Sequence, residues 1–403
     1  MKLLRLAVQN LVHKPLNLAL SLLLFALGIG LISLLFIVNE QITQKFEKNL
    51  AGVDMILGAK GSPLQLVLNG LYHIDAPTGN IPLKEVTPFL NPRHPFIRKA
   101  VPLSLGDSYH GFRIVGTDTG FVSLYHAQLK EGNWFDHSMD VVIGSIVADN
   151  IHLKIGETFV SNHGLTNEDI SKHEHAPFRL VGILQPTGTV CDQLLLTPTE
   201  SIWDVHEHAK AKKDSVSGTD TVQAKEITTL LIQFKNNRSL FALNMARGIN
   251  ANTQLQAATP AIEINRLFSM MGIGFDAIKI LAWVIAVVSG LSIFISLYNS
   301  LKERKHELAL MRVMGARPGT LFTLIVLEGF SIAVIGYILG ILTSHLLLAS
   351  GSNAIFHAYK YKIDAWHFIK DEGYLFIGAL FIGLIAAILP AIQAYRTNIA
   401  RHL

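Results

Sequence analysis

Four stretches of this sequence are too apolar and too long to sit in water. Residues 16-LNLALSLLLFALGIGLISLLFIV-38 contain no charged side chain. Three further runs, 280-ILAWVIAVVSGLSIFISLY-298, 320–349 and 374-YLFIGALFIGLIAAILPAIQA-394, repeat the pattern in the last third. About 20 apolar residues cross a bilayer core. With no water there, each segment must be a helix that pairs its own backbone groups. Only 16% of the 403 residues are charged, against roughly a quarter in a soluble domain, and the apolar excess gathers in these runs. The first exceeds the roughly 7–15 residues of a signal-peptide core, and no small-x-small cleavage site follows it. It reads as a retained span.

The net charge of +4 does not indicate nucleic acid, because the cations flank the spans. Lys2, Arg5 and Lys14 precede the first, and Lys302, Arg304, Lys305, Arg312 and Arg317 lie between the second and third. Arg396 and Arg401 follow the fourth. The positive-inside rule places these three flanks in the cytoplasm. Both termini are then inside, 299–319 is a cytoplasmic connection, 350–373 an outer loop and 395–403 a cytoplasmic tail. Residues 39–275 form an extracytoplasmic insertion. Cys191 is the only cysteine, so no intramolecular disulfide can form and the insertion depends on its apolar core, for which it is long enough.

Residues 1–15 are amphipathic, with Leu4, Ala7, Val8, Leu11 and Val12 on one face at helical spacing, as in a helix lying at the inner interface. Beyond the first span, 39–50 reads as a polar helical stalk, and 260–279 as its counterpart returning to the second span. Between them, 112–117, 140–145, 156–161, 178–184, 193–197 and 229–234 read as strands, and 145–151 and 198–210 as helices. The expected architecture is a four-helix transmembrane region carrying an inserted extracytoplasmic α+β domain.

No G-x-x-x-x-G-K-[ST] occurs; the nearest stretch, 58-GAKGS-62, has the wrong spacing. G-x-S-x-G and H-E-x-x-H are also missing, so nothing in the motifs points to an enzyme. The connection 306-HELALMRVMGARPGTLF-322 is more ordered than a loop needs to be. Its helical run ends at Gly315, suited to a left-handed cap, and Pro318 suits the first turn of the next helix. The result is a short elbow displaying Glu307, Arg312 and Arg317, either a charged loop or a docking element.

The segment 302-KERKHELALMRVMGARPGTLFTLIVLEG-329 resembles the signature of ABC permeases of the MacB/FtsX/LolC type. The first span with its preceding helix, 140-DVVIGSIVADNIHLKIGETF-159, 178-FRLVGILQPTGTVCDQLLLTPTESIWDV-205 and 389-LPAIQAYRTNIARHL-403 resemble further parts of that family in the same order. The resemblance implies a four-span permease in an inner membrane, paired with a second copy and seated on ATP-binding subunits. ATP and magnesium would be held by those subunits, with no cofactor on this chain. By the same analogy Glu307, Arg312, Gly315, Ala316 and Arg317 form the element that meets the ATPase. Closure of the ATPase would then be relayed to the outer domain without a channel. MacB carries its ATPase domain ahead of its first span; this sequence shows none, so the expectation is an ATPase in trans.

Glu328, the main embedded charge, matches that family's glutamate, and an ionisable group in a span carries a functional expectation. Pairing with a neighbouring helix or with the ATPase interface is weighed there against substrate or proton handling. Two H-x-H pairs, His173 with His175 and His206 with His208, together with His163, are candidate zinc ligands; the alternative is a polar loop rich in histidine. The stretch 64-LQLVLNGLY-72 is either a buried helix of the outer domain or a surface for lipid or a partner. The cargo is left between lipid or lipoprotein handling, with a periplasmic or lipoprotein partner, and a metal-linked system. A rival reading is a regulator of an extracytoplasmic enzyme that transports nothing.

Overall fold

The computed structural model describes residues 2–12, 15–163, 177–211, 225–359 and 363–396. It divides into two units, Met1–Ile42 with Met271–Leu403, and Thr43–Met270.

In chain order, α1 (Lys2–Val12) and α2 (Pro15–Asn49) come first. The second unit then runs through β1 (Met55–Ala59), α3 (Pro63–Tyr72), β2 (Ile81–Pro82), α4 (Leu83–Val86), β3 (Ile97–Tyr109), β4 (Phe112–Thr117), α5 (Thr119–Leu124), β5 (Leu129–Gly132), β6 (Asp140–Ile143) and α6 (Ser145–Ile151). It continues through β7 (Thr158–Phe159), β8 (Asn162–His163), β9 (Phe178–Leu184), β10 (Leu194–Pro198), α7 (Thr199–Ala211), β11 (Glu226–Ile227), β12 (Thr229–Phe234), α8 (Leu240–Asn252) and β13 (Leu255–Ala258). The chain closes with α9 (Pro260–Glu303), α10 (Lys305–Val313), α11 (Pro318–Tyr359) and α12 (Lys370–Tyr395).

The second unit is built on a mixed sheet with the order β13-β1-β12-β3-β4-β10-β6-β9-β5. Strand alternation splits its core. Ile56, Leu231, Val115 and Leu196 point to one face and join Leu66, Leu71, Val101 and Phe121. Their chain neighbours Met55, Leu57, Leu230 and Ile232 point to the other, as do Ile114 and Leu195 further along the sheet. This is the two-residue period of a sheet covered on both faces. The long strand β3 pairs with β12 and with β4, its register against β4 shifting between Leu105 and Ser108. Helix α3 buries Leu66, Val67, Leu71 and Tyr72, so the 64–72 stretch is a core helix rather than a lipid surface. Near the ends of the unit, Phe46 of α2 packs on Tyr72 at 4.6 Å and edge-on to Phe268 of α9 at 5.5 Å.

Among the described residues, α2, α9, α11 and α12 contain four helices long and apolar enough to cross a membrane. Helices α11 and α2 approach closely at glycine: a Cβ on Gly30 would lie 2.9 Å from the Gly340 carbonyl oxygen, the small-residue contact typical of helices in lipid. The face of α1 differs from the expected stripe. Ala7 is buried and Leu11 packs on the bundle core, while Leu4 and Val8 are exposed. The bundle-facing side is therefore rotated toward Asn10.

Candidate coupling site

Helix α9 does not run unbroken into α10. It stops at Glu303, and Arg304 (φ −97°, ψ 15°) leaves the helical region before α10 begins. Beyond α10 the chain closes with a Schellman motif. The Gly315 N–H donates to Arg312 O at 3.1 Å and the Ala316 N–H to Met311 O at 2.9 Å. Gly315 has φ +98°, a value that disfavours a side chain, and Pro318 opens α11. Gly315 and Pro318 thus do at the backbone what their spacing predicts.

The underside of α10 is anchored by Leu308 and Ala309, which are buried with Leu301, Leu321, Leu324 and Ile325 and with Ala7 of α1. Its other side is open. Leu310, Val313 and Met314 are 41%, 57% and 78% exposed, and with His306, also exposed, they fall at helical spacing; Arg317, exposed too, follows the cap. This is an apolar strip bordered by charge, where the sequence alone suggested charge only.

Beneath the elbow lies a buried polar knot. Glu328 of α11 is 1% exposed. Its Oε1 accepts from Asn10 Nδ2 at 2.9 Å and from Arg304 Nη1 at 3.2 Å. Arg304 also donates from Nε to Glu307 Oε2 at 3.0 Å, and Glu307 remains two-thirds exposed. Burying a carboxylate costs several kcal/mol unless it is paired and hydrogen-bonded; Asn10 and Arg304 supply those partners, while Oε2 is buried without one. The knot joins α1, the α9–α10 break, α10 and α11. Of its members, Glu307 and Glu328 were singled out from sequence. In the sequence Arg304 reads only as a flanking cation, and Asn10 signals itself only as a polar residue three after Ala7 on the packed face. Arg312 is less displayed than expected: Nη1 donates to Ala316 O at 3.4 Å, so it closes the elbow. Arg317 is exposed.

Of the histidine candidates, the described residues include only the backbone positions of His163, His206 and His208. His163 lies in β8 in register with Asp107 of β3, and His206 and His208 lie on α7. His173 and His175 fall outside the described residues. No group of three or more His, Cys, Asp or Glu side chains placed to hold a metal occurs among the described residues. The zinc expectation therefore rests on the sequence pattern alone.

Comparison with known proteins places these features in one family. The model of the MacB-like periplasmic core domain matches residues 18–246, and that of the FtsX-like permease C-terminal region matches 279–399, which includes the elbow and, of the knot, Arg304, Glu307 and Glu328. The pyoverdine export ATP-binding/permease protein PvdT of Pseudomonas fluorescens is 24% identical over 94% of this chain and 56% of its own length. PvdT of Pseudomonas syringae pv. syringae is 22% identical over 80% of this chain and 48% of its own. The chain thus spans about half the length of these relatives. An ABC transporter permease of Methanocaldococcus jannaschii is 22% identical over 74% of this chain and 68% of its own. Among solved structures, the periplasmic region of MacB from Actinobacillus actinomycetemcomitans covers 56% of this chain at 10% identity and a TM-score of 0.34. With one family model covering more than half of its residues and a second covering its C-terminal third, the chain belongs to the ABC transporter permeases of the MacB and FtsX type, membrane proteins with an extracytoplasmic domain.

Proposed function

We propose that this chain is the permease subunit of an ABC complex, coupling ATP hydrolysis on an ATP-binding subunit to motion of its extracytoplasmic domain. The observation that carries this reading is the elbow. A short helix, stopped at both ends by backbone geometry, exposes Leu310, Val313 and Met314, is followed by the exposed Arg317, and is held from beneath by Arg304 and Glu328. An apolar strip on a stiff, charged element suits a protein groove, as amphipathic helices do elsewhere. The knot makes the strip move with α1 and α11 rather than swing freely. A second copy of the chain completes the proposed assembly, and the cargo is proposed to be a lipid-bearing or otherwise amphipathic molecule reached from the membrane or its outer face.

The test is direct. Full-length tagged permease, purified from its native membranes in mild detergent, is expected to carry MgATP hydrolysis with it. The double variant Leu310→Asp and Met314→Asp is expected to lose at least about tenfold of that activity, a loss of about 1.4 kcal/mol of docking energy. Unchanged hydrolysis in the eluate, from a variant that keeps its thermal stability, would remove the docking role.

A further inference from the structure

A gap between α9 and α12 forms two cavities that run into one another. The inner one, of about 380 Å³, reaches to Phe294 and Leu389. The outer one, of about 230 Å³, lies between α2, α9 and α12 and ends at Lys279 and Tyr374. Trp283, Ala286 and Ile382 line both, so the two make a single trough. Elsewhere in the bundle glycine brings helices together: a Cβ on Gly383 would lie 2.5 Å from that of Ala333, and one on Gly329 would lie 2.7 Å from that of Ala387. Gly378, in the lining of the trough, is different, because a Cβ there would meet nothing within 4 Å. The two helices draw near at Gly290, where a Cβ would stand 3.1 Å from Ile382 Cγ2.

The lining changes character along the trough. Among the described residues, Lys279 is its one charged side chain and Tyr374 its one hydroxyl, and both sit at the end nearer the extracytoplasmic domain along the chain. Trp283 and Tyr374 are 66% and 72% exposed, as aromatic residues at a membrane–water boundary are. From Lys279 to Phe294 helix α9 advances about 22 Å at its usual rise, against about 15 Å for half of a bilayer core. A cation at the boundary with hydrocarbon beneath it is the complement of a lipid. An empty gap facing the bilayer would forfeit the dispersion contacts of its walls, so something fills it. A helix about 10 Å across cannot lie between walls that meet at Gly290 and Ile382; an extended hydrocarbon chain can. Lys279 also meets Asp276 at 3.4 Å, but both side chains are more than half exposed. Such a pair is worth little and leaves the ammonium available.

We propose that this trough is a binding site for an anionic phospholipid of the outer leaflet, with one acyl chain lying along Trp283, Ala286 and Ile382 toward Leu389 and the phosphate held by Lys279. Basic side chains beside membrane spans recognise anionic headgroups in this way. The occupant is a lipid of the bilayer itself, distinct from the cargo. Its site is remote from the elbow and does not depend on the docking role proposed there. With the chain seated, α9 and α12 pack through it over the stretch where their own side chains leave a gap.

Gly378→Leu fills the trough at little cost to the fold, since its new side chain enters space with no protein atom within 4 Å of the Cβ. The experiment is native mass spectrometry of the full-length protein in mild detergent, offered equal amounts of phosphatidylglycerol and phosphatidylcholine with matched chains. The wild type is expected to retain phosphatidylglycerol in about tenfold excess over phosphatidylcholine, and Gly378→Leu to lose about tenfold of that retention. Lys279→Ala should still retain lipid but without the preference. A wild type that keeps neither lipid, or both alike, overturns the proposal. So does Gly378→Leu that retains as much phosphatidylglycerol as the wild type, including one that instead loses a second copy of the chain, which would assign the trough to a subunit contact. Should Gly378→Leu fail to fold, fluorescence quenching in phosphatidylcholine nanodiscs decides, with the Trp283 signal read as the difference between wild type and Trp283→Phe. Chain-brominated phosphatidylglycerol that quenches Trp283 more than equally brominated phosphatidylcholine sustains the proposal, and equal quenching overturns it.

Discussion

Arg304 reaches back across 24 residues to place Nη1 3.2 Å from Oε1 of Glu328, so the break that ends one helix neutralises a carboxylate buried in another. The two residues are unequal partners. Arg304 is 16% exposed and Glu328 1%, so removing the cation strands a buried charge, whereas neutralising the carboxylate strands a cation that water still reaches. Arg304→Met is expected to cost about 3 kcal/mol and Glu328→Gln markedly less. The double variant should recover part of the Arg304→Met loss. Thermal unfolding in detergent checks the order; equal losses for the two single variants would refute it.

At the elbow, two glycines predict opposite signs. Gly315 has φ +98° and nothing within 4 Å of where a methyl group would stand, so its strain is purely of the backbone. Gly315→Ala should destabilise by about 1–2 kcal/mol and, under the docking role proposed above, weaken ATPase binding by loosening the cap. Gly319, in the first turn of α11, has equally open surroundings but no positive φ. There Gly319→Ala should be neutral or stabilising by up to about 1 kcal/mol. Matched melting curves distinguish the two.

In the outer domain, both ring nitrogens of His73 are buried without a hydrogen-bond partner. Burial, helped by the nearby Arg113 guanidinium, pushes its pKa down to about 3 from 6.5. Arg113 is itself engaged with Asp75 O. The unfolded chain therefore binds a proton that the folded one refuses. This residue contributes fully above about pH 6.5 and progressively less toward pH 3, at up to about 1.4 kcal/mol per pH unit. His73→Asn keeps a residue tolerant of the left-handed φ of 54° and lacks the titration. Stability of full-length wild type should fall relative to this variant between pH 6.5 and pH 3; parallel curves would count against it.

Cys191 is fully buried, and burial raises its thiol to about 12. Thiolate is the reactive form, so maleimide labelling near neutral pH should be slow in the folded protein and fast in denaturant. Rapid labelling without denaturant would show that the region around Val190–Gln193 opens.

The sequence was most readable where local pattern and tertiary role coincide. Residues 112–117, 178–184 and 229–234 are strands with the expected bounds, and 145–151 is the expected helix. What escaped was structure whose local signal is poor. In β1, Gly58 looks like a breaker, yet its missing Cβ makes room for Leu66, which would stand 2.4 Å from one. Strand β3 contains Pro102 and Gly106, and β13 is Leu-Gln-Ala-Ala, without a β-branched residue. Among site residues, Gly315 and Glu328 announce themselves by type and position. Asn10 does not, because it matters only through a partner, Glu328, 318 residues away.

Strands β1 and β13 lie side by side and antiparallel, with Ile56 opposite Ala258. The chain therefore enters the outer sheet from α2 and leaves it toward α9 at the same end of two neighbouring strands. The mechanical consequence is directional. Tension that draws the two leads apart loads the β1–β13 ladder one hydrogen bond at a time, as a zipper opens, and the sheet is weak to it. Displacement of both leads in step loads no bond between them and carries the sheet as a body. The β1–β13 pair thus withstands a shared thrust or retraction and yields to separation.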